Sequence, residues 1–258
     1  MSNRLLAFNP CEDVRLPPRR RYDSDERIIS REELMTVLLP VVPDRYRAIV
    51  ATAGGAGLRW GEVTGLCADA VDLDQRRLRV IRTVIEVSGQ TSVKPFPKTA
   101  AGRRTVPLPS WLVEIIQAHR ESYPPGENGL VFPNAVGKPL RRTLFRSRVW
   151  RPALVRAGML GTVTVLDDHT VQAGWTDTTG ATLVKEFPTE REAVSHVARS
   201  CAGGLRFHDL RHSYATWLEV SRIASGASFD GLCERRLAAA AGRGLCCGVG
   251  AGLVRHAW

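Results

Sequence analysis

Between Leu78 and Leu108 the chain carries short segments of strand character, with helical periodicity on both sides, and this alternation is what most restricts its fold. Leu78 to Val87 alternates and is rich in β-branched residues, which predicts a strand. Gly89 supplies a turn, residues 91–94 and 103–108 read as further strands of the same small sheet, and 95–102 reads as a loop at its edge. Upstream, Ser30-Arg31-Glu32-Glu33 is a capping box: the serine hydroxyl accepts an N–H of the first turn while the glutamate reaches back. Leu34, Val37 and Leu38 then form a helical stripe. A second helix is predicted after Pro43, through Tyr46, Ile49, Val50 and Ala53, ending near Gly54-Gly55. Downstream, Trp111 to Arg120 is helical with Ser110 as N-cap, and Thr143 to Ala157 is helical with Pro152 predicting a kink or break. The expected class is α+β: a mostly helical domain with a small antiparallel sheet.

Residues 161–202 change character. Thr162 to Val165, Thr170 to Trp175 and Ala181 to Phe187 read as short strands, with Asp177-Thr178-Thr179-Gly180 turning between the last two. Thr189 caps a helix from Glu190 to Arg199, and Gly203-Gly204 reads as a hinge into a helix from Phe207 to Val220. Four regions follow: a basic, proline-broken leader (1–29), a principal domain (30–160 and 203–221), an inserted β-β-β-α module (161–202), and a tail (222–258). The tail is of low complexity and lacks a stable period, so it is expected to be disordered.

The chain has 36 Lys+Arg against 26 Asp+Glu, a net charge of +10. That surplus favours a polyanionic partner, of which nucleic acid is the commonest, with a generic basic surface as an equal alternative on charge alone. Arginine dominates, in Arg19-Arg20-Arg21, Arg103-Arg104 and Arg141-Arg142, and its planar fork matches phosphate better than an ammonium does. No apolar stretch is long enough to span a bilayer and no signal-peptide pattern opens the chain, so a cytoplasmic location is expected. The cysteines, 11, 67, 201, 233, 246 and 247, form no CxxC pair, which excludes a zinc ribbon or a secreted disulfide framework.

Three separated pieces carry chemistry: Gly57-Leu58-Arg59-Trp60-Gly61-Glu62; Pro97-Lys98-Thr99 followed by Arg103-Arg104-Thr105-Val106-Pro107-Leu108; and His208-Asp209-Leu210-Arg211-His212-Ser213-Tyr214. Singly each has a plain structural reading, as a surface arginine, a loop lysine and a helix-surface pair. Together, and in this order, they resemble the catalytic domain of the tyrosine recombinase (phage integrase) family over most of residues 30–220. The leader, Asn9-Pro10 to Leu16-Pro17, looks like the linker that enters such domains. The resemblance implies site-specific DNA recombination or integration by a phage or mobile element, on double-stranded DNA, with recombinase protomers as possible partners and no membrane or cofactor. By the same resemblance Arg59 and Arg211 hold the non-bridging phosphate oxygens, Lys98 protonates the departing 5′-oxygen, and His208 assists proton transfer. Glu62 and His212 are supporting residues, with a simple surface carboxylate as the alternative for Glu62. Arg103, Arg104, Arg141 and Arg142 are DNA-binding candidates, and no metal is needed.

The sequence departs from the family after the third piece. Its tyrosines are Tyr22, Tyr46, Tyr123 and Tyr214, and Tyr214, three residues past Arg211, is expected to pack in the core instead of attacking phosphate. The nucleophile segment is therefore read as absent, with a reading-frame change after Leu218 as one account, and the helical domain that usually precedes the catalytic one is read as missing too. Residues 161–202, with Trp175-Thr176-Asp177 and Lys185-Glu186-Phe187-Pro188-Thr189, resemble the integrase module that binds arm-type DNA. An insertion that only packs is the competing reading. Two rival functions stand beside the recombinase: a DNA-binding remnant that does not cut, and a metal hydrolase built on the histidine pair of His208-Asp209-Leu210-Arg211-His212.

Overall fold

The capping box at Ser30 forms in full: the Glu33 N–H donates to Ser30 Oγ at 3.0 Å and the Ser30 N–H donates to Glu33 Oε2 at 2.7 Å. It opens the first helix of a computed structural model that describes residues 28–94, 103–167 and 169–224. Residues 1–27 of the leader, Lys98 and the tail beyond Ala224 lie outside the described residues. The first helix passes through a π-helical stretch, Glu33–Leu38, into α1 (Leu39–Val41), which carries Pro40. The same device recurs in the helix predicted to break at Pro152: α5 (Arg142–Phe145) continues as a π-helical stretch, Arg146–Trp150, into α6 (Arg151–Arg156). Proline has no N–H to donate and its ring crowds the carbonyl four residues back. A wider turn just before each proline relieves that crowding, so the second helix continues past Pro152 without a break, its irregularity there being the π-helical stretch.

The helix α2 (Asp44–Ala56) is longer than its glycines predicted. It passes through Gly54-Gly55 and ends at Gly57, whose φ of 60° takes the left-handed turn. The glycines are there for contact. A Cβ on Gly55 would lie 2.6 Å from the Trp111 ring, and one on Gly54 would lie 2.7 Å from Leu34 Cδ2. The short helix α3 (Trp60–Thr64) follows. Helix α4 (Ser110–Ser122) supplies the facing Trp111, Leu112 and Ile116. Its N-cap is Pro109; Ser110 is the first helical residue and makes no capping bond, contrary to expectation.

The strand expected from Leu78 to Val87 is two strands in two sheets. β2 (Arg77–Val80) pairs antiparallel with β1 (Val71–Asp72) on one side and β5 (Arg104–Pro107) on the other. β3 (Thr83–Val87) leaves that sheet and forms a separate hairpin with β4 (Gln90–Lys94). The break falls at Ile81-Arg82, where the Arg82 guanidinium grips Asp69 with two bonds of 2.8 and 2.7 Å. Alternation slips at Val80-Ile81, where two apolar residues adjoin, but both flanks keep strand character, and such a slip does not tell an irregularity within one strand from a change of sheet.

Residues 161–202 form β6 (Thr162–Val165), β7 (Val171–Thr176) and β8 (Thr182–Phe187) in one antiparallel sheet, followed by α7 (Glu190–Ser200), whose N-cap Thr189 accepts the Glu192 N–H at 3.3 Å. Val171, Ala173 and Trp175 alternate inward beneath α7. Buried Arg151 of α6 ties this segment down by donating to the carbonyls of Ala198, Cys201 and Gly203. Helix α8 (Asp209–Ala224) closes the order. The architecture is α+β, with the core running from Leu34 and Leu38 through Ile49, Val50, Leu112 and Ile116 to Leu154 and Leu210. Met1–Leu218 form one compact unit; of a second, Glu219–Trp258, the described part holds an Arg222–Glu219 ion pair at 3.2 Å.

Gly55→Ala is expected to destabilise the domain by about 1–3 kcal/mol, because the rigid Trp111 ring must move, and this outweighs alanine's helix-propensity advantage of about 1 kcal/mol. Gly54→Ala should cost less, since the Leu34 methyl it meets can rotate away. Urea-unfolding midpoints of the two variants at unchanged slope measure the difference.

Candidate functional site

The site is assembled on a turn. Gly57 ends α2 in the left-handed conformation, Leu58 is buried, and Arg59 enters extended as the N-cap of α3. An arginine side chain cannot accept a hydrogen bond, so the cap runs one way: the Arg59 N–H donates to Glu62 Oε2 at 2.9 Å, and Arg59 Nη1 donates to Glu62 Oε1 at 2.9 Å. Glu62 is no surface carboxylate. Its side chain is 5% exposed while that of Arg59 is 55% exposed, so the acid is the fixed post and the guanidinium faces solvent from it.

Arg104, on β5, reaches the same carboxylate from the other side, with Nη1 to Oε1 at 3.1 Å and Nη2 to Oε2 at 2.8 Å. Burial alone would raise the Glu62 carboxyl. The hydrogen bonds from Arg104 and the Arg59 backbone, and the charge of Arg104, outweigh it and hold the group at about 2.

Arg211 arrives from α8. Its Nη1 donates to the Gly57 carbonyl at 2.5 Å, so the guanidinium hangs on the turn that positions Arg59. Burial, then the charges of Arg59 and Arg104, push Arg211 down, which places the three guanidiniums in one field. Among the described residues three guanidiniums gather about one carboxylate, and that of Arg59 is the most exposed to solvent. His208, one turn earlier on the approach to α8, is pushed down by burial and then by His212 and Arg211, so its imidazole is neutral near pH 7. His212 meets it edge to face at 5.1 Å.

The structure thus brings together Arg59, Glu62, Arg211 and His208, and adds Arg104 as a direct partner of Glu62 where the sequence offered it only as a basic residue. The signal for that pairing was thin: a buried acid needs more than one cation, and nothing local names the second. Arg141 and Arg142 sit at the start of α5, where Glu86 of β3 accepts the Arg142 N–H at 2.7 Å and pairs with Arg141 Nε at 3.5 Å. Arg103 is exposed just before β5.

Tyr214 is half-buried, and its ring lies on Gly57, where a Cβ would come within 2.3 Å of Cδ1. Burial pushes its phenol up while Arg104 and Arg211 pull the other way. Tyr46 packs edge-on against Phe145, and Tyr123 lies under the Arg45 guanidinium. Asp209, which a metal-site reading would need, is buried and engaged by Arg206, with the backbone N–H at 2.8 Å and Nη2 at 2.6 Å. Among the described residues no group of three or more His, Cys, Asp or Glu could hold a metal.

No family model matches the chain. It is similar to a XerC-like tyrosine recombinase of Caldanaerobacter subterraneus, 32% identical over 127 residues, covering 45% of this chain and 32% of that protein. It is also similar to the prophage phiRv2 integrase of Mycobacterium tuberculosis, 28% identical over 238 residues, covering 91% of this chain and 50% of that protein. The chain therefore spans half or less of these relatives' length. In fold it resembles the Tn1549 transposon integrase solved with transposon right-end DNA, with a TM-score of 0.50 at 15% identity over 76% of this chain and 54% of that one. Its curated relatives are tyrosine recombinases and integrases, which bears out the resemblance read from the three motifs.

The depressed Glu62 carboxyl makes stability pH-dependent in a stated direction. Its contribution is complete above the ordinary value of 4.5 and is lost as pH falls through about 2. Glu62→Gln is expected to cost on the order of 3 kcal/mol at pH 7, by leaving two guanidiniums facing each other, and to flatten the fall in stability between pH 4.5 and 2. Denaturant titrations of both proteins across that range measure the effect.

Proposed function

We propose that this chain is a tyrosine recombinase-like, DNA-binding protein of a phage or mobile element. In this reading it grips one phosphodiester of double-stranded DNA with Arg59, Arg104 and Arg211 and does not by itself cut the strand. The observation that carries the reading is the gathering of three guanidiniums about buried Glu62. A phosphodiester brings one negative charge and a phosphorane-like transition state develops a second, and fixed guanidiniums meet both without reorganising. Neutral His208 beside them is suited to accept a proton, and Lys98, between β4 and β5 in the chain, takes the role of general acid by resemblance. The sequence relatives are integrases and recombinases, which supports DNA as the partner.

The non-cutting half of the proposal rests on the described tyrosines. Tyr46 and Tyr123 are engaged in packing, and the ring of Tyr214 rests against Gly57, whose carbonyl accepts from Arg211. Residues 161–202 are read as a packing insertion and not as an arm-DNA reader. The sheet face turned away from α7 carries Thr164, Gln172, Thr176, Thr182 and Glu186 and lacks the cations that phosphate contact requires.

In gel shifts with duplex DNA, binding should weaken steeply with salt. Arg59→Ala and Arg211→Ala should each lower the slope of log affinity against log salt by about one. On a nicked suicide duplex, no adduct should survive denaturant. A salt-insensitive or absent shift overturns DNA binding. An adduct that disappears in Tyr214→Phe overturns the non-cutting half and leaves the recombinase half standing.

A further inference from the structure

A cavity of about 300 Å³ opens beside His208, between the α5–α6 helix and the segment leading into α8. Trp60, Phe145, Trp150 and Phe207 form its walls. Their rings brace one another, with centroids 4.9 Å apart for Trp60–Phe145, 5.1 Å for Trp60–Phe207 and 5.3 Å for Trp150–Phe207. The Trp150 indole N–H also donates to the Leu205 carbonyl at 2.8 Å, which fixes the backbone on that side. Trp60 and Phe207 are only half-buried, so apolar ring surface stays open to the cavity.

The charge around these rings is one-sided. Arg142, Arg146, Arg151 and Arg206 line the cavity. Arg206 is neutralised by Asp209 at 2.6 Å. Arg151 is 7% exposed and spends its donors on the backbone carbonyls of Ala198, Cys201 and Gly203. Among the described residues no carboxylate forms an ion pair with Arg142, Arg146 or Arg151; Glu86 meets Arg142 through its backbone N–H alone. Burial and the charge of Arg146 both push Arg151 down, as expected for a cation with no counterion. Flat apolar walls with uncompensated guanidiniums at the rim suit a ligand that is aromatic at one end and anionic at the other. A nucleotide is such a ligand, and aromatic rings interleaved with arginines are how single-stranded nucleic acid is held.

We propose that this cavity takes one unpaired nucleotide of the bound DNA, its base against Trp60 and Phe207 and its phosphate on Arg142 and Arg146. The inference rests on the DNA-binding reading above and adds to it a preference for DNA with a base out of the stack. Geometry supports the link: Trp60 follows Arg59 directly, and His208 belongs to both the cavity wall and the phosphate site. One strand can therefore lay a phosphate on Arg59 and Arg211 and a neighbouring base in the cavity.

The test compares a fully paired duplex with the same duplex carrying one unpaired 2-aminopurine, bound by the full chain at fixed salt. The unpaired form should bind about 10-fold tighter, as one stacked base contributes, and its fluorescence should be quenched on binding. Phe207→Leu should abolish most of that preference while leaving affinity for the paired duplex unchanged, and Arg146→Gln should weaken the unpaired form more than the paired one. Equal affinity for the two duplexes overturns the inference, as does an equal loss on both in the variants. So does a short peptide of aspartates flanking a phenylalanine that binds the cavity while the unpaired base brings no gain. If neither duplex binds the unsubstituted protein, it is the DNA-binding reading that has failed first.

Discussion

Glu62 is the residue on which the site depends. A carboxylate buried to this extent is expensive unless its lone pairs are filled, and here two guanidiniums and a backbone N–H fill them. Those bonds draw together α3 and β5, elements far apart in the chain, and set both arginines before any ligand arrives. The exposure of Arg59 then matters as much as its pairing. One edge of its guanidinium is spent on the carboxylate and the rest is free for an anion. A site prepared in this way does not have to order long side chains at the moment of binding, which is where preorganised electrostatics gain their advantage.

The second support is backbone, not charge. Gly57 turns left-handed, offers its carbonyl to Arg211 and leaves bare Cα surface for the ring of Tyr214. Helix α8 is held from other directions as well. The Ile29 N–H donates to Ser213 Oγ at 3.2 Å, and the Trp217 indole donates to the Ile29 carbonyl at 2.9 Å. The chain just before the first helix thus grips α8 on the side largely turned away from Arg211. A charged side chain is only as well placed as the helix beneath it, and here that helix is fixed by contacts at either end of the described sequence.

Residues 161–202 and the aromatic cavity are coupled by packing. Arg151 secures the end of α7 and the glycines that follow it, and so sets where Phe207 and His208 begin their approach to α8. The π-helical turn ahead of Pro152 brings Val149 and Trp150 inward at that point, and both are buried. The segment 161–202 is therefore tied to α6 at its C-terminal end. Its last turn is stitched to the helix that walls the cavity, and through that wall it bears on the position of the histidine.

Local chemistry alone determined a good part of this. The capping box at Ser30, the strands and helix of 161–202 and the α+β class were legible because each is decided by neighbours a few residues apart: a hydroxyl and a carboxylate three positions on, a period of two, a period near four. The resemblance of the three motifs also named Arg59, Arg211 and His208 together. What required the tertiary structure were choices made across long separations. Arg104 rather than another arginine answers Glu62. Gly54 and Gly55 stay within α2 because Leu34 and Trp111 press on them. The long alternating run divides between two sheets. Tyr214 spends its ring on Gly57. Such outcomes turn on which surfaces meet, and a one-dimensional pattern records the character of a surface but not the identity of its neighbour.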